Sequence, residues 1–368
     1  MRINFIFKKK NYSRFIKKTA DRLISISTKK TNNFFFNEDL ENSSIEEINN
    51  CDIIWARQDI NKKIIDQINV PVIIQHERLF LSNYINPYSF HFDYDLRHLF
   101  GRSNIFFLTD KIYENKKKNI FSFTELEKPR FESFQEKIEK DIDILFLSGS
   151  RHIKEDTMIQ KFAKININNF DNIMDKIHYY YKIEKNLLKK IFGKIFYRSK
   201  NSFSYFYNES FQAIKFLRKQ KILKELLELS KNYKVEYYGN NENDLWKVPC
   251  KNYLEENLLN NVFARSKIVI CPTPMHNSII NERFDLATQN FTIPLVEKYP
   301  QYQKINLPSE FYFNYHDGNL NFKIINILNN YNENYSKFFN FTKNISYEDF
   351  SLKKFMSNII ELSKKKNL

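Results

Sequence analysis

Short runs of β-branched and aromatic residues, each closed by a polar or charged cluster, recur along the first 134 residues. Residues 3–7, 52–55, 70–75 and 105–109 form such runs, and the polar helical stretches between them give a βα rhythm. DIIWARQD, VPVIIQHER and NIFFLTDKIYE each place charged residues directly after a strand. Three strand ends therefore offer functional groups to one edge of a sheet. Residues 129–140 are charged and weakly apolar, and DILFLS over 143–148 starts a fresh strand, so a division between two domains is expected near 138.

The second half restarts the same pattern. A helix over 212–231, with Ile214, Leu217, Ile222, Leu223, Leu226, Leu227 and Leu229 near helical spacing, feeds a strand over 235–238. Residues 262–298 then hold a strand, a polar loop, a charged helix start and another strand in succession. Ile268, Val269 and Ile270, closed by Cys271 and Pro272, read as a buried parallel strand. Asn281-Glu282-Arg283 opens a helix whose Phe284, Leu286 and Ala287 can pack inward, and the next strand is expected over 291–296. Ligands of open α/β sheets sit outside the carboxyl ends of strands, at loops and helix N-termini. Glu282 and Arg283 stand at that place.

Two segments lie outside this rhythm. Residues 154–202 are basic and aromatic and read as an insertion. Within it Leu187, Leu188, Ile191, Phe192, Ile195 and Phe196 alternate with Lys185, Lys189, Lys190, Lys194 and Arg198. Such a helix either lies on an anionic membrane or packs on the rest of the insertion. The tail over 346–362, with Phe350, Leu352, Phe355, Met356, Ile359, Ile360 and Leu362 apolar, reads as a last helix crossing back to brace the first domain.

With 368 residues the chain exceeds one ordinary core, and 42 % hydrophobic residues exclude a mainly disordered chain. It contains only five glycines, and neither GxGxxG nor GxxxxGK[ST] is present. Any phosphate must therefore be held by helix N-termini, side chains or non-glycine loops. The net charge of +15 is spread along the chain and is carried mostly by lysine. It reads first as a solvated lysine surface and next as an attraction to anionic membranes or anionic substrates such as nucleotide sugars, and no nucleic-acid partner is expected. Cys51, Cys250 and Cys271 lack CxxC spacing and read as reduced core thiols of a cytoplasmic protein. The first residues lack the pattern of a signal peptide, and no run of about 18 apolar residues exists. HExxH and GxSxG are absent, and the DxD triplets at Asp93–Asp95 and Asp141–Asp143 read as structural, so no metal site is expected.

DILFLSGS, KVEYYGNN, VFARSKIVICPTP, NERFDLATQNFTIPLVEK and the acidic turn FYFNYHDGNL follow one another in an order that resembles the second domain of GT-B glycosyltransferases. The resemblance is to the group-1-like branch that includes spore-maturation glycosyltransferase-like proteins, and it covers residues 143–330 apart from the insertion. NERFDLATQNFTIPLVEKYPQYQKINLPSEF is also similar to the donor region of α-1,3-fucosyltransferases. The fold this implies is α/β, with two Rossmann-like domains facing a cleft and a helical insertion in the second. Residues 1–138 would bind the acceptor, 139–345 the donor, and 346–368 would form the returning helix.

The resemblance further implies a nucleotide-sugar donor, a glycan or protein acceptor and no cofactor or metal. Gly149, Ser150 and Arg151 would meet the phosphates, and Tyr238, Gly239 and Asn240 would border the base. Asn281, Glu282 and Arg283 would contact ribose and phosphate, with Thr273 and Asn277 in the same donor loop. Arg283 alternatively makes an ordinary helix-start ion pair with Asp285. Thr288, Gln289 and Asn290 stand where many members have small residues and a glycine, and Asn290 occupies the position of a second acid, which leans the outcome towards inversion. An inverting displacement needs a base, for which His76, Glu77 and Asp110 follow strand ends, as does Asp59. Other readings of the same residues are a GT-B-like scaffold without turnover, a polyol-phosphate transferase and, last, a nucleic-acid binder.

Overall fold

A computed structural model describes residues 1–7, 21, 23–25, 33–36, 44–57, 62–76, 102, 104–109, 120–121, 126–129, 138–148, 218–239, 244, 246–272, 280–298, 300–314 and 319–366. The insertion expected over 154–202 lies outside the described residues. The chain divides into two compact units, Met1–Leu126 with Ser346–Leu368, and Glu127–Ile345. The division falls at Glu127, whereas the composition of the chain placed it near 138. Residues 127–129 accompany the second unit, where the Glu127 N–H donates to Asp285 Oδ1 at 2.9 Å.

The first unit is a six-stranded sheet in the order β2-β1-β3-β4-β5-β6. Its strands are β1 (Ile3–Phe7), β2 (Phe34–Phe36), β3 (Ile53–Arg57), β4 (Val72–His76), β5 (Ile105–Thr109) and β6 (Ile120–Phe121). Every pairing is parallel. Parallel strands are covered on both faces, and Ile53, Ile54, Trp55 and Ala56 are accordingly all buried. Helix α1 (Ile45–Asn49) is capped by Ser44, whose Oγ accepts from the Glu47 N–H at 3.0 Å. Asn4 in β1 donates its amide to the Ile48 carbonyl at 2.9 Å, which fixes the end of α1 to the sheet. A short helix α2 (Lys62–Ile65) precedes β4.

The second unit has β7 (Ile142–Ser148), β8 (Val235–Gly239), β9 (Cys250–Lys251), β10 (Ser266–Cys271), β11 (Ile293–Glu297) and β12 (Tyr312–Phe313). They lie in the order β12-β11-β10-β7-β8-β9, again all parallel. Counted within the unit, this is the 3-2-1-4-5-6 arrangement of dinucleotide-binding sheets, with the switch point between β7 and β10. Helix α3 (residues 218–229) precedes β8, α4 (Glu256–Ala264) precedes β10 and α5 (Glu282–Gln289) joins β10 to β11. Helices α6 (Pro300–Lys304), α7 (Leu320–Asn329) and α8 (Tyr331–Asn344) complete the unit. The last helix, α9 (Leu352–Lys366), belongs to the first unit. Its Leu352, Met356 and Ile359 are buried in one cluster with Ile3, Phe5, Ile53, Trp55, Ile73 and Phe106.

The amino-terminal edge of the second sheet is held by charge. Asp141 accepts from Arg265 Nε and Nη2 at 2.7 and 2.5 Å and from Lys234 Nζ at 2.6 Å, while Asp143 accepts from Lys267 Nζ at 2.7 Å. The triplet Asp141-Ile142-Asp143 is thus a set of structural ties at the amino-terminal edge of the sheet. Lys140 donates to the carbonyls of Ser266, Asn290 and Phe291 at 3.0, 3.3 and 3.1 Å. The strand expected from 291 begins at Ile293 instead, because the chain must reverse after α5. Phe291 makes that reversal with φ of 49° and its ring fully buried. No helix among the described residues is long and apolar enough to cross a membrane.

Candidate functional site

The loop after β10 ends on Asn281, which caps α5 and ties it to its surroundings. Its Oδ1 accepts from the Arg283 N–H at 2.8 Å, its Nδ2 donates to the Pro272 carbonyl at 2.7 Å, and its own N–H donates to the Tyr302 hydroxyl at 3.2 Å. Asn281 thus takes the first-turn amides of Arg283, Phe284 and Asp285, and it holds the positive end of the α5 dipole at the carboxyl edge of the sheet. Glu282 is exposed and Arg283 half-buried. Burial raises the Cys271 thiol to about 12, and the charge of Arg283 draws it the other way.

Two ion pairs flank the switch point. Arg218 Nη2 lies 3.5 Å from Glu297 Oε1, with only 5 and 9 % of the two side chains exposed. Lys219 Nζ lies 2.7 Å from Asp244 Oδ1. Glu297 closes β11 and Asp244 follows β8, strands that stand on opposite sides of the β10–β7 pair. The two adjacent cations of α3 reach both, so this end of α3 straddles the switch point. Burying such charges costs several kcal/mol per ion unless each meets a partner. Tyr312 adds a buried hydroxyl that makes no hydrogen bond among the described residues, and burial pushes it up to about 12. Cys271, Val296 and Tyr312 stand in register on β10, β11 and β12, so Cys271, Glu297 and Tyr312 share the carboxyl edge, and burial raises the nearby Tyr302 hydroxyl.

The residues singled out by sequence separate clearly. Asn281, Glu282 and Arg283 stand together at the start of α5, and both ends of the Asn281 side chain are engaged within the chain. Gly239 ends β8 opposite Ser148 of β7. Tyr238, one residue earlier, is buried and donates its hydroxyl to Glu236 at 2.5 Å. His76 ends β4 in register with Thr109, at the carboxyl edge of the first sheet. Glu77, Asp110, Gly149, Ser150, Arg151, Asn240, Thr273 and Asn277 lie outside the described residues, as does Asp59. Arg218, Glu297 and Asp244 carry no motif that sequence reasoning picks out, and the one signal for Glu297 is an acid closing an otherwise apolar strand run, IPLVE.

The fold defines a class, paired parallel α/β units of Rossmann type, the second with a polar carboxyl edge. No family model matches the chain, and no curated protein matches it in sequence. Solved structures similar over nearly its whole length include T4 phage β-glucosyltransferase, at 11 % identity, 99 % of both chains and a TM-score of 0.47. The T4 phage enzyme in complex with UDP and Mn2+ is 10 % identical over 99 and 98 % of the two chains, with a TM-score of 0.46. An α-glucosyltransferase in complex with UDP and a 13-mer DNA is 14 % identical over 98 and 99 %, with a TM-score of 0.47. Values of this size assign neither activity nor acceptor to the present chain.

Proposed function

We propose that this protein is a glycosyltransferase that moves a sugar from a nucleotide-sugar donor to an acceptor hydroxyl, with the donor at the carboxyl edge of the second sheet. The observation that carries this reading is the coincidence, at one switch point, of the α5 N-terminus with the Arg218–Glu297 pair and Arg283. As the bond between the sugar and the diphosphate breaks, negative charge grows on the leaving group. The positive end of the α5 dipole and the guanidinium groups of Arg283 and Arg218 are the groups that meet it. Glu297 accepts from donor hydroxyls. This assigns to fixed cations the charge neutralisation that a metal ion performs in other transferases.

The acceptor falls to the first unit in this reading, with His76, Glu77 or Asp110 as the base that takes the proton of the attacking hydroxyl. We propose a surface glycan or a protein as the acceptor. The net charge of +15 gives any polyanion an electrostatic attraction, so duplex DNA belongs in the acceptor panel.

Labelled UDP-, GDP-, CDP- and ADP-sugars incubated with glycan, protein and DNA acceptors test the reading. Transfer from one donor class is expected, with Arg283→Ala slower by at least about tenfold. Absence of both transfer and donor hydrolysis across the panel would leave a scaffold of this fold without turnover.

A further inference from the structure

Beside the paired Arg218 lies a carboxylate that the donor reading does not use. Asp244 is buried in the segment after β8. Its Oδ1 accepts from Lys219 Nζ at 2.7 Å and from Gln220 Nε2 at 2.9 Å, and its Oδ2 accepts from the Tyr237 hydroxyl at 3.1 Å. Tyr237 is fixed in turn, since it belongs to β8, pairs with Phe146 of β7 and stacks on that ring at 5.4 Å between centroids. Asp244 therefore fastens two successive residues of α3 to the sheet.

We propose that Asp244 is a positioning residue that aims Arg218 at the leaving diphosphate, an inference that rests on the donor reading above. Successive helical residues point about 100° apart. With Lys219 and Gln220 held by one carboxylate, Arg218 is directed away from β8 and towards Glu297. Any roll of α3 that turned Arg218 from the edge would break both bonds to Asp244, the buried Lys219 ion pair among them, which is strongly unfavourable. Asp244 does not touch the substrate in this arrangement, because three donors occupy its two oxygens in the protein interior.

Asp244→Asn keeps the shape of the side chain and removes the charge that holds Lys219. Calorimetric titration with UDP, GDP, CDP and ADP, with their nucleosides and with inorganic pyrophosphate separates aiming from folding. For the diphosphate that binds the native chain, Kd is expected to rise on the order of tenfold in the variant, with pyrophosphate weakened alongside. The matching nucleoside should keep its affinity within about twofold, since it carries no charge for Arg218 to meet. A purely structural role would lower Tm and leave the ratio of the two affinities unchanged.

The double variant Lys219→Met/Asp244→Leu fills the same space without charge and decides the matter if the single variant does not fold. It should show the same phosphate-selective loss. Native diphosphate affinity in a folded variant overturns the inference while leaving the donor site standing. A native chain that binds none of the four diphosphates overturns the donor reading and this inference with it.

Discussion

Gly239 closes β8 beside Ser148 of β7. Its φ of 156° is strained for an L side chain, and a β-carbon there would run into the Ser148 carbonyl oxygen. Gly239→Ala is expected to cost about 2 kcal/mol or more in denaturant unfolding, because main chain rather than a flexible side chain stands in the way. Asp141 sets a different kind of limit. The hydrogen bonds of Arg265 first, and then of Lys234, hold its carboxyl well below the usual carboxylate range. The unfolded chain takes up that proton near pH 4, before the folded one does. The contribution of Asp141 is therefore complete above that pH and is lost as the pH falls further. Thermal unfolding of Asp141→Asn followed from pH 7 to pH 2 should show a deficit in Tm at neutral pH that narrows in acid. A constant deficit would mean that the carboxylate charge contributes nothing.

Elements reveal why part of the site was legible and part was not. The β10–α5–β11 unit announces itself in sequence because a buried parallel strand must be continuously apolar, and a helix start prefers Asn at its cap. Asn281 satisfies that preference, so the start of α5 follows from local chemistry alone. Arg218 gives no such signal. It sits in a run read through its leucines and isoleucines, where a cation before an apolar stripe looks solvated. Its burial depends on Glu297, which only the strand order brings near. The far end of α5 depends on non-local contacts as well, through the Lys140 ammonium on the Ser266, Asn290 and Phe291 carbonyls. Lys140→Met would leave those oxygens without their donor and is expected to cost about 2 kcal/mol. Chemical denaturation checks the figure, and unchanged stability would show that the carbonyls are satisfied otherwise.

At the scale of the molecule, alternating strands and helices foretell parallel sheets, but not the order of strands within them. The 3-2-1-4-5-6 order of the second sheet arises from pairings between distant segments, such as β10 beside β7. That order decides which loops share an edge, so the grouping of Arg218, Glu297 and α5 emerges only from the folded chain. The return of α9 to the first unit is equally non-local, and it completes a core with Ile3, Trp55 and Phe106. Met356, fully buried there, is expected to cost about 3 kcal/mol when replaced by alanine. Amide exchange should then rise in β1 and β3 and remain unchanged in β7 and β10. Equal loosening of both units would show that they unfold as one.

The central claim is a nucleotide site at the carboxyl edge of the second sheet, and calorimetric titration of the purified chain with UDP, GDP, CDP and ADP tests it most directly. Binding of one diphosphate is predicted, weakened at least about tenfold by Arg218→Ala and by Arg283→Ala alike. Affinity unchanged by both substitutions, or no binding by any of the four, would contradict it.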